Sequence, residues 1–118
     1  MKPHLSHLFM LVDDLEASRR FYVEVLGLEV LMEHPGYVRI GGGDGFHIGM
    51  EEGAQAMIGA AGIEISLWVE DCDAAFAAAT GEGATTVSSP VDSDWGTRYA
   101  ALLDPSGYRI SLQSELRS

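Results

Sequence analysis

An imidazole and a carboxylate stand at matching places in a phrase that the chain uses twice. Residues 7–18 read His-Leu-Phe-Met-Leu-Val-Asp-Asp-Leu-Glu-Ala-Ser, and residues 64–75 read Glu-Ile-Ser-Leu-Trp-Val-Glu-Asp-Cys-Asp-Ala-Ala. His7 and Glu64 open the two copies, 57 residues apart. In each copy an alternating apolar stretch runs into an acidic step and then a helix. A repeat of this length marks one supersecondary unit used twice, each half unable to bury its apolar face alone. Equivalent strands place His7 and Glu64 in equivalent positions, able to face one shared cavity. There a hydrogen-bonded charge pair would satisfy both groups. Glu64 needs some such partner, because desolvating a lone carboxylate is costly.

Strand parity adds further side chains. Phe9 shares a face with His7, and Trp68 shares one with Glu64 and Ser66. Such aromatic surfaces suit stacking against a flat organic ligand, while ordinary packing or a dimer contact remains the alternative for Trp68 and Trp95. Trp95 precedes Gly96 in a loop before a strand, a place for a lid or a ligand wall. Arg109 lies on one face with Ser111 and Gln113, where its guanidinium either clamps an acidic ligand group or closes an internal salt bridge. His47 reads as a half-exposed polar residue of a sheet face. Cys72 follows Glu70 and Asp71, and neighbouring carboxylates disfavour the thiolate that a nucleophile requires. The sequence holds no Ser-His-Asp set, phosphate-cradling glycine motif or zinc-type cysteine spacing. Gly41-Gly42-Gly43-Asp44-Gly45 is glycine-rich but sits in a strand–strand turn rather than before a helix.

The elements that must position these groups follow from periodicity. Leu5 to Val12 alternates as a strand, with Leu8, Met10 and Val12 on the face opposite His7. Asp14 is a natural N-cap for a helix from Leu15 to about Leu26, and Gly27 is its stop. Phe21, Val25 and Leu28 follow a helical period toward the sheet. Strands are expected at Glu29–Met32, Tyr37–Ile40 and Phe46–Met50. Glu51 to Gly62 reads as a linker. The second half repeats the order: a strand at Ile63–Val69, a helix beginning at Asp73 and running to about Ala79, then strands at Thr85–Ser88, Arg98–Leu103 and Tyr108–Gln113. Asp104-Pro105-Ser106-Gly107 is a tight turn with proline second. The expected fold class is α+β, two tandem β-α-β-β-β modules with helices outside a curved mixed sheet.

At 118 residues the chain suits one compact domain. The expected boundaries are 1–118 for that domain, module 1 at about 1–53 and module 2 at about 62–118. With 47% hydrophobic residues, a folded protein is expected. No apolar run approaches the ~20 residues of a membrane span, and the first residues lack the apolar core of a signal peptide. Cys72 is the only cysteine, so no internal disulfide forms and a reducing cytoplasm is the expected location. The net charge of −11 provides no positive patch for nucleic acid. It favours solubility and is able to attract a cationic ligand.

The layout resembles the vicinal oxygen chelate superfamily, which includes glyoxalase I, bleomycin-resistance proteins, fosfomycin-modifying enzymes and extradiol dioxygenases. The resemblance spans essentially the whole chain. It is carried by His7…Val12-Asp13-Asp14-Leu15-Glu16-Ala17-Ser18…Phe21-Tyr22…Leu26-Gly27-Leu28 and by Trp95-Gly96-Thr97-Arg98…Asp104-Pro105-Ser106-Gly107-Tyr108. It implies that each module forms half of a cup holding ligand or metal, often completed by a second subunit. Metal-using members place ligands at four inward positions, on the first and last strand of each module. Here those positions hold His7, Gly49, Glu64 and Ser111. Gly49 and Ser111 depart from the pattern, since neither is a carboxylate or imidazole donor. His47 shares parity with Gly49, so a metal set, if present, is His7, His47 and Glu64.

The departures also suggest a positive function. Small residues at Gly49 and Ser111 would widen the cup for an organic molecule. The resulting expectation is a homodimeric, bleomycin-resistance-like protein conferring antibiotic resistance by sequestering an aromatic or cationic antibiotic-like ligand, with no metal or other cofactor. Its ligand-binding residues are Phe9, His47, Glu64, Trp68, Trp95, Arg109 and Ser111. Neither a membrane nor nucleic acid is an expected partner. The rival expectation is a metal-dependent lyase, epimerase or dioxygenase acting through His7, His47 and Glu64.

Overall fold

The computed structural model describes residues 7–43, 45–53 and 64–116. The chain divides into two compact units, Met1–Ile58 and Gly59–Ser118, each a β-α-β-β-β module. In the first, β1 (His7–Val12), β2 (Glu29–His34), β3 (Tyr37–Gly41) and β4 (His47–Glu52) form a sheet in the order β1-β4-β3-β2. In the second, β5 (Glu64–Trp68), β6 (Thr85–Asp92), β7 (Thr97–Leu103) and β8 (Arg109–Glu115) form the order β5-β8-β7-β6. The opening strand of each module runs parallel to the closing one, and the other pairs are antiparallel.

Each module buries one sheet face under its helix. In module 1, Met10, Val12, Val38, Ile40, Ile48 and Met50 are buried beside α1 (Leu15–Arg19) and its continuation. In module 2, Ala100, Leu102, Ile110 and Leu112 are fully buried on the face that packs against α2 (Cys72–Gly81). Each fully buried leucine or isoleucine contributes roughly 1.5–3 kcal/mol of transfer free energy. Period-2 alternation then turns the intervening residues to the opposite face, where the candidate groups lie.

The helices begin as the repeat implies. Asp14 Oδ1 accepts from Ala17 N at 3.0 Å, and Asp71 Oδ1 accepts from Ala74 N at 3.1 Å. The second helix therefore begins at Cys72, one residue earlier than the sequence suggests, because Asp71 rather than a later residue is its cap. The first helix changes winding: after Arg19 it continues as a π-helical turn over Arg20–Val25. Leu26 N reaches the Phe21 carbonyl at 3.0 Å, and Gly27, with φ of 88°, ends the helix. The wider turn brings the consecutive Phe21 and Tyr22 closer to one face. Both are buried, packed edge to face at 5.1 Å, whereas Val25 and Leu28 are only half-buried.

Some strand ends also move. Glu51 and Glu52 belong to β4 rather than to a linker, and residues 54–63 lie outside the described ones, as does Asp44 of the glycine-rich turn. Strand β6 extends to Asp92, past the expected end at Ser88. Pro90 is tolerated there because β6 is an edge strand whose register shifts between Thr86 and Val91. No helix among the described residues is long and apolar enough to cross a membrane.

Ser18 is fully buried in α1, and its hydroxyl has no hydrogen-bond partner among the described residues. A buried donor without an acceptor opposes folding. Ser18→Ala is predicted to leave the fold intact and raise unfolding stability by about 1 kcal/mol. Asp14→Ala, which removes the cap, is predicted to lower it by about 1 kcal/mol. Urea unfolding midpoints of the two variants test the opposite signs.

Candidate functional site

The face of the module 2 sheet opposite α2 carries a continuous polar network. Register places Glu64 beside Arg109, Ser66 beside Ser111, and Trp68 beside Gln113, with Tyr99 across from Gln113 on β7. Arg109 Nε donates to Glu64 Oε1 at 2.6 Å, and the Tyr99 hydroxyl donates to the same oxygen at 2.9 Å. Burial pushes the Glu64 carboxyl up, but the hydrogen bonds from Arg109 and Tyr99 and the Arg109 charge outweigh it and hold the group below its ordinary value. Of the two roles open to Arg109, the structure forms the internal salt bridge.

Beyond this ion pair the network runs through hydroxyls to an aromatic. Ser111 Oγ donates to Ser66 Oγ at 2.8 Å, and Gln113 Nε2 donates to the same oxygen at 2.8 Å. Gln113 Oε1 accepts from Thr97 Oγ1 at 2.7 Å and from Trp95 Nε1 at 2.9 Å. Two donors on that oxygen fix the amide's orientation. The Trp95 indole also packs edge to face on Tyr99 at 5.3 Å. Trp95 is nevertheless 63% exposed and Trp68 65% exposed.

Module 1 has a different face built on the same register. His7 lies beside His47, and Phe9 beside Gly49, which in turn lies beside Arg39. The two imidazoles stack, with centroids 5.0 Å apart and planes 1° from parallel. Phe9 is 54% exposed. Tyr37 reaches over Gly49, where a Cβ would stand 2.6 Å from the phenol oxygen. His34 stacks on Tyr37 at 5.1 Å, and Arg39 Nε donates to its hydroxyl at 3.2 Å.

Two expectations about cavity space change as a result. The room left by Gly49 is filled by the Tyr37 phenol. Ser111 is fully buried beneath its neighbours, so its small size does not open a hollow. Among the seven candidate ligand residues, Phe9 and His47 share the module 1 face. Glu64, Trp68, Arg109 and Ser111 share the module 2 face, with Trp95 joined to it through Gln113. Sequence reasoning omitted Tyr37, Arg39, Ser66, Thr97, Tyr99 and Gln113 from the candidate set. The parity of β7 was hidden because Ala100, Ala101 and Leu102 are all buried, which erases the alternation that would have aimed Tyr99.

Within each module the candidate metal donors are already engaged with their neighbours. Glu64 already neutralises a guanidinium, and Ser111 is a neutral hydroxyl bonded to Ser66. The stacked imidazoles hold their lone pairs in parallel planes rather than converging on one point. Among the described residues no group of three or more His, Cys, Asp or Glu side chains is placed to hold a metal ion.

A lowered folded-state value means that Glu64 adds stability above the ordinary carboxylate value, and that this is lost as pH falls through the folded one. Arg109→Gln is predicted to move the Glu64 titration upward and to lower stability at and above the ordinary carboxylate value by the small net contribution of an exposed pair, the difference from wild type disappearing as pH falls through the wild-type folded value. Carboxyl titration by NMR reads the shift directly.

Comparison with known proteins agrees with this architecture. The model of the Glyoxalase/Bleomycin resistance protein/Dioxygenase superfamily matches residues 4–112. An uncharacterized protein of Mycobacterium bovis is 31% identical over 135 aligned positions, covering 99% of this chain and 84% of that protein. The crystal structure of UcmS2 superposes with a TM-score of 0.77 at 26% identity, covering 96% of this chain and 98% of that one. TnmS3, an antibiotic binding protein from Streptomyces sp. CB03234, superposes with a TM-score of 0.76 at 24% identity, covering 98% of each chain. With both modules and the match across 4–112 in place, the chain belongs to the glyoxalase/bleomycin resistance protein/dioxygenase superfamily.

Proposed function

We propose that the protein binds a small, flat organic molecule and sequesters it without metal, in the manner of an antibiotic-binding member of its superfamily. The observation that carries this reading is Trp95. Its ring is held by the Gln113 hydrogen bond and the Tyr99 edge contact, yet the residue is 63% exposed. A pre-positioned aromatic offers stacking area without an ordering cost at binding. Trp68 adds a second exposed ring on the same face, and Ser66, Gln113 and Arg109 supply polar orientation. The antibiotic binding protein TnmS3 shares the fold, which is consistent with this use of it.

The aromatic part of the reading rests on these rings. A cationic ligand draws support from the net charge of −11, but not from Glu64, whose charge Arg109 answers. Residues 1–118 are taken as one functional domain, and a cytoplasmic homodimer as its assembled form. The metal-dependent alternative through His7, His47 and Glu64 draws less support, because the donors within each module are engaged elsewhere.

Tryptophan-quenching titrations with a panel of planar aromatic antibiotics are predicted to give at least one saturable ligand. Trp95→Ala is predicted to weaken that ligand by about tenfold, roughly 1.4 kcal/mol, with an unchanged circular dichroism spectrum. Trp68→Ala is predicted to weaken it in the same direction. The reading fails if no compound saturates. It also fails if elemental analysis finds near-stoichiometric metal that His7→Ala removes.

A further inference from the structure

Arg39 is the one described guanidinium without a carboxylate partner. Arg19 pairs with Glu33, Arg20 with Glu24, Arg98 with Asp73 and Asp92, and Arg109 with Glu64. Arg39 instead donates through Nε to the Tyr37 hydroxyl, with its guanidinium carbon 5.9 Å from the Tyr37 ring centroid. It is half-buried, in a chain with 18 acidic residues available to satisfy it. Its two terminal nitrogens have no acceptor among the described residues. The Tyr37 hydroxyl accepts from Arg39, and its own hydrogen likewise has no described acceptor. Unanswered donors of this kind, partly withdrawn from water, call for an oxygen acceptor bearing negative charge.

The surroundings define the remainder of the ligand. Phe9, Gly49 and Arg39 occupy one row across three adjacent strands, so Phe9 and Arg39 flank a residue with no side chain. Two strand spacings separate them at the backbone, about 10 Å. The Tyr37 phenol oxygen lies over Gly49, between the two. The exposed Phe9 ring provides an apolar wall at one end of the row, and Arg39 with Tyr37 provides donors at the other.

We infer that this row is a binding seat for an aromatic acid, its carboxylate or other oxyanion on Arg39 and Tyr37 and its ring toward Phe9. The inference deepens the small-molecule reading and rests on it, while naming residues and a ligand charge that the Trp95 argument does not use. Glu51 shares the face, lies beside Tyr37 in register and is exposed. Its carboxylate opposes an anion there and thereby provides a second variant of opposite sign.

Isothermal titration with 2-naphthoate and its uncharged analogue 2-naphthamide tests the seat. The wild-type protein is expected to prefer naphthoate by about tenfold, the typical gain from a charge-assisted hydrogen-bonded pair. Arg39→Gln is expected to abolish the preference, and Arg39→Lys to retain part of it because charge remains without the planar fork. Tyr37→Phe should lower naphthoate affinity and Glu51→Gln should raise it. Arg20→Gln, which removes the same formal charge elsewhere on module 1, should leave the preference intact. Equal binding of the two probes by the wild type, absence of naphthoate binding, or a preference that survives Arg39→Gln overturns the seat. Saturable quenching by a planar antibiotic that Trp95→Ala weakens, combined with any of those results, retains the small-molecule reading while removing the anion seat.

Discussion

Each strand of this protein has two faces, and among the described residues each module has one helical segment with which to cover them. The constraint governs every functional feature of the chain. Apolar residues at alternate positions are committed to the helix side, where Ile110, Leu112, Met50 and Ile40 are buried. The other parity is left to polar and aromatic side chains, which must satisfy one another or a ligand. Parallel pairing of the first and last strands then sets which residues meet. It places His7 against His47 and Glu64 against Arg109 at corresponding points of the two sheets.

The modules have solved that shared problem differently. At the first position one holds stacked imidazoles, and the other a salt bridge reinforced by a phenol. At the next, Gly49 and Ser111 are both too small to reach outward, and both are covered. Tyr37 and Tyr99 sit at matching register positions, opposite Glu51 and Gln113 respectively. The phenol of module 1 turns over Gly49 toward Arg39, whereas that of module 2 turns toward Glu64. Arg39 has Ala101 as its counterpart, each opposed to the small residue of the closing strand. That ladder position bears a cation in one module and a methyl in the other.

Most of the architecture could be read from the chain because its determinants are local. Alternation in His7–Val12, the Asp14 cap and the Gly27 stop predict their elements directly, and the structure contains them. The candidate site was less accessible. The repeat is visible at an offset of 57 residues between His7 and Glu64, but Gly49 and Ser111, like Tyr37 and Tyr99, are 62 residues apart. The change of offset concealed the paired tyrosines. Phenols and guanidiniums also reach several ångströms beyond their own positions, so the filling of the Gly49 space is a tertiary result with no sequence-local signal. The π-helical turn belongs to the same class, since it depends on fitting Phe21 and Tyr22 together against a sheet that the local sequence does not describe.

Cys72 shows how completely the helix side is closed. Its thiol is fully buried and donates to the Leu112 carbonyl at 3.3 Å, while its amide donates to Ser114 Oγ at 3.1 Å. Burial first, and then the charge of Asp73, raise the thiol above its ordinary value. A thiol in that state is a poor nucleophile toward oxidants or alkylating reagents. It becomes reactive only when α2 lifts from β8. The rate at which a thiol reagent modifies the chain is therefore a clock for the opening of module 2, carried in a single native side chain.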